Sequence, residues 1–203
     1  MARSSIEESS ECGMRNKVIV VGTSLGGLDA LRSLLTDLPG DFPLPVVVVQ
    51  HRSVESDDTL STLLQRHSML PVKEVEDKEA ILPGHVYLAP ADYHLLLEED
   101  TFALSTEAPV GYARPSIDVL FESAADAYGE RVIGVILTGA SKDGAQGAAK
   151  IKERGGLVVV QDPDTAESRI MPEAAIAAAD IDQVLPLSEI APFLVNLCGS
   201  AWR

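Results

Sequence analysis

The stretch that decides the fold is residues 17–27, KVIVVGTSLGG, in which a β-branched run is followed directly by a glycine-rich loop. The run lacks polar alternation, and continuous apolar runs of this kind are typical of strands buried on both faces of a sheet. After the loop, leucines recur at the spacing of one helix face over residues 28–38. These residues therefore predict a strand–turn–helix unit.

The same pattern continues along the chain. Three further apolar runs occur at residues 45–51, 131–139 and 155–161. Helical patterns lie between them, at residues 59–66, 116–128 and 143–154. Alternating strands and helices indicate βαβ units with right-handed crossovers. The sequence thus predicts an α/β fold, with a doubly wound, mostly parallel sheet and helices on both faces.

Two other segments complete the predicted domain. Residues 84–104 hold short apolar runs separated by turn residues, with no room for a crossover helix, which predicts an antiparallel hairpin added to the sheet. Residues 172–197 are typical of a helix, a short strand and a second helix. Residues 1–16 are polar and lack apolar periodicity, so we expect a disordered tail there and one domain over residues 17–203.

Composition argues against several classes of function. The formal charge of −15 repels phosphate backbones, so nucleic acid is not an expected ligand. Cys12 and Cys198 are too few for a disulfide framework or a four-ligand metal site, and no motif implies a metal or a cofactor. No apolar stretch is long enough to span a bilayer, and the N-terminus lacks the apolar run of a secretory signal. We therefore expect a cytoplasmic protein without membrane insertion.

The loop after the first predicted strand is a candidate site, because ligands of open α/β sheets bind at the carboxyl ends of the strands. Its sequence, GTSLGG, has the G-x-S-x-G spacing and the strand–turn–helix context of a nucleophile elbow, with Ser24 at the tip. The glycines permit a sharp turn and a close approach of a substrate carbonyl to backbone N–H groups. Such a loop also fits an anion-binding turn at a helix N-terminus, so the loop alone leaves both interpretations open.

Two other strand ends supply the partners that a nucleophilic serine needs. The run at residues 45–51 ends in His51, and the run at residues 131–139 leads into a second glycine-bracketed loop that contains Asp143. Taken singly, a histidine is often structural, and an aspartate near a helix start often only complements the helix dipole. Together with Ser24 they provide a nucleophile, a general base and a carboxylate that orients the base. We predict that these three residues are catalytic.

Several motifs resemble the catalytic domain of the CheB-type chemotaxis receptor protein-glutamate methylesterases. GTSLGG is similar to the nucleophile loop of that family, VVVVQH to its strand ending in histidine, and LTGASKDG to its aspartate loop. Lesser matches are PGHVYLAPADYH, ARPSIDVLFESAADAYG and VVVQDPDTAE, so the resemblance covers nearly the whole chain after residue 17. By this resemblance Ser24, His51 and Asp143 fall on the catalytic residues of the family.

The resemblance implies a reaction and a partner. The family hydrolyses γ-glutamyl methyl esters on the cytoplasmic helices of chemoreceptors, which releases methanol, and often deamidates glutamines there. We expect the methylated cytoplasmic domain of a chemoreceptor to be the partner. The family usually carries an N-terminal receiver domain, for which the segment before Lys17 is too short, so we expect constitutive activity or control by a separate regulatory protein.

Further site residues follow from the same comparison of motifs. The backbone N–H groups of Leu25 and Ala140 are the candidates for binding the oxyanion, and Arg114 is the candidate for binding substrate. Leu25 stands where the family has threonine, while Ala140 and Ser141 replace a methionine and a glycine. A backbone oxyanion hole is compatible with these changes.

Two alternative functions stay open from the sequence. One is a hydrolase of the same mechanism that acts on another ester. The other is a non-catalytic module on the same fold that binds a peptide or an anion at residues 22–27. Activity on methylated receptor, compared with activity on generic esters, separates these possibilities.

Overall fold

A computed structural model describes residues 17–52 and 59–199 of the chain. In this part of the chain seven parallel strands form one sheet; they are β1 Val18–Thr23, β2 Val46–Gln50, β3 Val72–Glu74, β4 Val86–Leu88, β7 Val132–Ile136, β8 Leu157–Gln161 and β9 Gln183–Leu185. Their order across the sheet is β3-β4-β2-β1-β7-β8-β9. The antiparallel pair β5 His94–Glu98 and β6 Thr101–Ser105 forms a second sheet. The predicted tail, residues 1–16, lies outside the described residues.

Helices cover both faces of the parallel sheet. Their bounds in the described residues are α1 Gly27–Thr36, α2 Thr59–Gln65, α3 Ile117–Tyr128, α4 Ala145–Glu153, α5 Ile170–Ala178 and α6 Leu187–Gly199. Single turns of 3₁₀-helix occur at Gly129–Arg131 and Pro163–Thr165. Among these helices, none combines the length and the apolar character that a bilayer crossing requires.

Two hydrophobic cores lie on opposite sides of the sheet. One is shared with α3, α4, α5 and the antiparallel pair, and the other with α1, α2 and α6. In β1, Val18 and Val20 belong to the first core, while Ile19 and Val21 belong to the second. Successive side chains of a strand point to opposite faces, so a strand covered on both sides requires a continuous apolar run. The predicted fold class is confirmed.

The antiparallel hairpin is also confirmed, and it forms a two-stranded sheet of its own. Leu95, Leu97 and Phe102 pack into the core on the α3 side, which explains why these strands lie against helices and not at the sheet edge. The first part of the segment predicted as a hairpin is not antiparallel, because β4 is a parallel strand between β2 and β3. Residues 75–85 cross from β3 to β4 without a helix.

Strand β3 is not predicted by the sequence pattern. Its residues, Val-Lys-Glu, are only half-buried at the edge of the sheet, and such a segment carries no apolar run. The other helices and strands begin and end within a few residues of the predicted bounds. The edge is therefore the part of the sheet that sequence patterning describes least well.

Candidate active site

The predicted triad residues Ser24, His51 and Asp143 follow the carboxyl ends of β1, β2 and β7, which are neighbours at the centre of the sheet. Thr23 and Gln50, the last residues of β1 and β2, are paired in register. The His51 N–H donates to the Thr23 carbonyl at 3.0 Å, and the Ser24 N–H donates to the Thr138 carbonyl at 3.0 Å. The three loops that were expected to meet are thus tied together by backbone hydrogen bonds.

The turn that carries Ser24 depends on two glycines. Gly26 has a φ of 77°, in the left-handed region that favours glycine, and it precedes the first residue of α1. A Cβ at Gly27 would lie 2.0 Å from Oε1 of Gln50. Nε2 of Gln50 donates to the carbonyls of Ser24 at 2.9 Å and His51 at 2.8 Å. The absence of a side chain at Gly27 therefore makes room for the amide that links Ser24 to His51.

His51 and Asp143 are joined by a hydrogen bond of 2.7 Å between Nε2 and Oδ2. Their side chains are only 17% and 6% exposed, so the bond is largely shielded from water. Within the described part of the chain, Nδ1 of His51 makes no hydrogen bond, and no hydrogen bond joins Ser24 Oγ to His51. Nδ1 is therefore the ring nitrogen that remains available to a proton donor. Ser24 lies on the adjoining loop and carries a hydroxyl that can act as such a donor.

The carboxylate of Asp143 is held by the first residues of α3. Besides the bond from His51, Oδ2 accepts the Ile117 N–H at 2.7 Å, while Oδ1 accepts the Ser116 hydroxyl and the Asp118 N–H, each at 2.9 Å. A helix N-terminus presents unpaired N–H groups and a partial positive charge, so it suits an anion. These bonds orient Asp143 toward His51.

The same contacts determine the charge state of Asp143. Burial on its own would raise the pKa of this carboxyl group, but the hydrogen bonds from His51 and from the backbone N–H groups of Asp118 and Ile117 outweigh burial and hold the pKa below its usual value. Asp143 is thus an ionised acceptor near neutral pH. An ionised carboxylate can only accept, so Nε2 of His51 carries the hydrogen of their shared bond.

Asp118 is a second carboxylate beside Asp143, half-buried, and sequence reasoning missed it. Its Oδ1 accepts the N–H groups of Gly144 at 2.9 Å and Gly147 at 2.7 Å, at the start of α4. Burial raises the pKa of Asp118 to about 6, and the charge of Asp143 adds to this effect, while the two N–H donors oppose it. Among residues 17–52 and 59–199, no group of three or more His, Cys, Asp or Glu side chains is arranged to hold a metal ion.

The sequence does not mark Ser116 and Asp118 as site residues, because both are common at helix starts. A serine and an aspartate at a helix start are ordinary capping residues, and Ser116 does cap α3 by accepting the Val119 N–H at 3.4 Å. The segment ARPSIDVLFESAADAYG contains both residues. Only the fold shows that α3 points its N-terminus at Asp143.

The two predicted oxyanion donors follow the ends of β1 and β7. Among the described residues, neither the Leu25 N–H nor the Ala140 N–H has a hydrogen-bond acceptor. The hydroxyl of Thr138 donates to the Leu25 carbonyl at 2.9 Å, which joins the two loops. Gly139, the residue before Ala140, is fixed by bonds with Ser168. Both donors are therefore unpaired on anchored loops that adjoin each other.

Two clefts open on either side of the turn formed by residues 110–113. The His51 cleft, of about 540 Å³, is lined by His51, Arg52, Tyr112 and Arg114, among others. The Asp143 cleft, of about 560 Å³, is lined by Asp118, Lys142, Asp143 and Ala174, among others. The turn therefore stands between two openings that both reach the pair of His51 and Asp143.

Arg114, the predicted substrate-binding residue, lines the His51 cleft but is engaged within the protein. Its Nε and Nη2 donate to Oδ1 of Asp92 at 2.9 and 2.5 Å, and its Nη1 donates to the carbonyls of Thr106 and Glu107, each at 3.0 Å. Asp92 neutralises its charge. The structure thus places Arg114 as a brace for the wall of the cleft.

Comparison with known proteins gives consistent results. The family model described as CheB methylesterase matches residues 19–194. A Leptospira interrogans protein, named provisionally as a protein-glutamate methylesterase/protein-glutamine glutaminase, is 50% identical over 185 residues, which cover 91% of this chain and 96% of that protein. A Carboxydothermus hydrogenoformans protein named protein-glutamate methylesterase/protein-glutamine glutaminase 1 is 43% identical over 86% of this chain and 53% of its own length.

A solved structure agrees with both the fold and the family. The crystal structure of the Thermotoga maritima CheB methylesterase catalytic domain superposes with a TM-score of 0.87 at 39% identity, and the match covers 90% of this chain and 98% of that one. The resemblance seen in the sequence motifs is therefore confirmed. The chain belongs to the CheB methylesterase family.

Proposed function

We propose that the chain is a serine carboxyl-ester hydrolase that removes methyl groups from γ-glutamyl methyl esters on the cytoplasmic helices of chemoreceptors. The observation that carries the proposal is the shielded 2.7 Å bond between His51 and Asp143 on the loops beside the Ser24 turn. The names of the relatives supply the substrate class. In this proposal the partner is the methylated receptor domain, and the protein acts in the cytoplasm.

The first step is attack by Ser24 on the ester. In the neutral imidazole with Nε2 carrying the hydrogen donated to Asp143, Nδ1 has a free lone pair, and it accepts the proton of the Ser24 hydroxyl. The Oγ–carbon bond then forms at the ester carbonyl. Asp143 stabilises the imidazolium that results, without itself taking the proton.

The tetrahedral intermediate carries a negative oxygen, which the unpaired N–H groups of Leu25 and Ala140 would bind. When the intermediate collapses, the bond to the methoxy oxygen breaks, and that oxygen takes the proton from Nδ1 and leaves as methanol. The glutamyl group remains as an ester on Ser24.

Hydrolysis of this acyl-enzyme restores the serine. His51 removes a proton from water, the hydroxide oxygen attacks the acyl carbon, and Ser24 Oγ leaves with the proton held by His51. The products are a glutamate carboxylate and free enzyme. A glutamine side chain would follow the same steps with ammonia as the leaving group, which makes deamidation a second reaction of this site.

The test is release of labelled methanol from methylated chemoreceptor membranes by the purified protein and by its Ser24→Ala variant. The proposal predicts release by the parent protein and none by the variant, at equal receptor binding. The variant is a clean control, because Ser24 contributes only backbone groups to the hydrogen bonds of its loop in the described residues.

The alternatives give different results in the same assay. Hydrolysis of generic methyl esters without release from the receptor would favour a hydrolase of another ester. Binding of receptor or peptide without any ester hydrolysis would favour the non-catalytic module. Either result would overturn the proposed function.

A further inference from the structure

Tyr112 lies at the tip of the turn that separates the two clefts. Val110 and Ala113 exchange two backbone hydrogen bonds, of 3.1 and 2.9 Å, so that Gly111 and Tyr112 form a two-residue loop between them. Both tip residues are in the left-handed region, with φ of 56° for Gly111 and 67° for Tyr112. Loops of this geometry favour glycine, asparagine or aspartate at both positions.

Tyrosine is therefore an unfavourable choice for the backbone at this position. A bulky side chain in the left-handed conformation is disfavoured by contact between its Cβ and the neighbouring peptide. A glycine or an asparagine at position 112 would adopt the same conformation more easily. The backbone gives no reason for a tyrosine here.

Packing gives no reason either. The side chain of Tyr112 is fully exposed, with 104% of its reference surface accessible, so its ring buries no area against the described residues. Backbone strain and an exposed aromatic ring thus coincide at one residue. Departures from local rules of this kind concentrate at functional sites.

The surroundings of Tyr112 favour a role in recognition. The residue lines the His51 cleft, and the wall of that cleft is braced by Arg114 through Asp92 and the carbonyls of Thr106 and Glu107. A ring on a rigid turn offers a large contact area with little loss of side-chain freedom on binding. Because the ring is fully exposed, it lies at the rim of the cleft and beyond the reacting ester.

We propose that Tyr112 is a specificity-determining residue that packs against the protein segment flanking the methylated glutamate. The inference rests on the proposed function, because that function makes the occupant of the cleft a protein and not a small ester. The ring contributes to recognition of the protein substrate and contributes little to the chemistry at Ser24. Its removal should therefore alter the preference between a protein ester and a small ester.

The experiment compares the parent protein with Tyr112→Gly, Tyr112→Phe and Met69→Ala. Glycine removes the ring and suits the positive φ, so this variant should fold at least as well as the parent. Phenylalanine keeps the ring. Met69 is a 74% exposed apolar side chain that lines neither cleft, which makes Met69→Ala the control for loss of exposed apolar surface.

The measured quantity is kcat/KM toward methylated chemoreceptor and toward p-nitrophenyl acetate. We expect Tyr112→Gly to lower the receptor-to-small-ester ratio about tenfold, mainly through KM for the receptor, since one well-placed contact contributes about this factor. Tyr112→Phe should keep most of the parental ratio, and Met69→Ala should keep all of it. An unchanged ratio in Tyr112→Gly, or an equal loss on both substrates, would overturn the proposal.

A binding measurement separates this inference from the proposed reaction. In the Ser24→Ala background, we expect Tyr112→Gly to weaken binding of the methylated receptor cytoplasmic fragment about tenfold. If the parent protein releases no methanol, the proposed reaction fails, and the binding comparison still decides the role of Tyr112. Equal affinity with and without the ring would overturn that role.

Discussion

Ionisation of Asp118 should destabilise the folded protein, which is the opposite of the usual effect of ionising an aspartate. The folded pKa of Asp118 is about 6, above the ordinary value of 3.8, chiefly because the carboxylate is buried. A group with a raised folded pKa stabilises the fold fully below its unfolded pKa, and this contribution is lost as the pH rises through the folded pKa. Ionised Asp118 therefore destabilises the protein above about pH 6.

The perturbation is Asp118→Asn. Oδ1 of Asp118 holds both N–H bonds from the start of α4, and Oδ2 has no hydrogen-bond donor among the described residues, so an asparagine can keep the bonds and place its NH₂ at the Oδ2 position. A shift of about two pH units corresponds to roughly 3 kcal/mol. Because Asp118 is only partly buried, solvent screening reduces the expected gain to about 1–2 kcal/mol at pH 8.

The assay is urea unfolding of the parent and variant proteins at pH 8 and pH 5. The predicted gain in unfolding free energy at pH 8 should shrink by about half at pH 5, where the parent carboxyl group is largely protonated in the folded state. Asp126→Asn, on the exposed side of the same helix, is the control and should stay within about 0.5 kcal/mol at both values. A variant less stable than the parent at pH 8 would refute the reasoning.

Three further substitutions probe the site. Asp143→Asn should lower kcat about 10⁴-fold in steady-state kinetics, because the carboxylate that orients His51 and stabilises its imidazolium is lost. Urea unfolding should show a loss of about 2 kcal/mol in unfolding free energy, because the amide NH₂ must face one backbone N–H at the start of α3. Gly27→Ala should reduce the unfolding free energy by about 1–3 kcal/mol and lower activity, since its Cβ would displace Gln50. Gly40→Ala is the control, and it should be nearly neutral by thermal unfolding because the nearest atoms to its Cβ lie at 3.4 Å. Ser116→Ala should reduce the unfolding free energy by about 1 kcal/mol and kcat by less than Asp143→Asn does, because Asp143 keeps its other donors.

The sequence predicts the layered fold and the place of the site for identifiable reasons. The continuous apolar runs of β1, β2 and β7 indicate strands covered on both faces, and strands of that kind lie parallel in the middle of a sheet. The residues that follow such strands share one edge. The sequence therefore predicts that Ser24, His51 and Asp143 lie on neighbouring loops.

The interactions that orient the site could not be predicted in this way. The contacts of Asp143 with Ser116 and Asp118 depend on how α3 crosses the sheet, and helix periodicity does not specify that angle. Arg114 lines the His51 cleft, and no sequence pattern indicates that its side chain is held by Asp92, a partner 22 residues away in the sequence. The exposure of Tyr112 likewise follows from the turn geometry and not from residue type.

The central claim is that Ser24 is a nucleophile activated by His51, which Asp143 orients. The most direct test is covalent labelling by a fluorophosphonate probe, followed by peptide mass spectrometry. We predict a single label on Ser24 in the parent protein, no label in Ser24→Ala, and labelling slowed by about 100-fold or more in His51→Ala, since general-base activation is lost. A parent protein that resists the probe, or a label that persists in Ser24→Ala, would contradict the account.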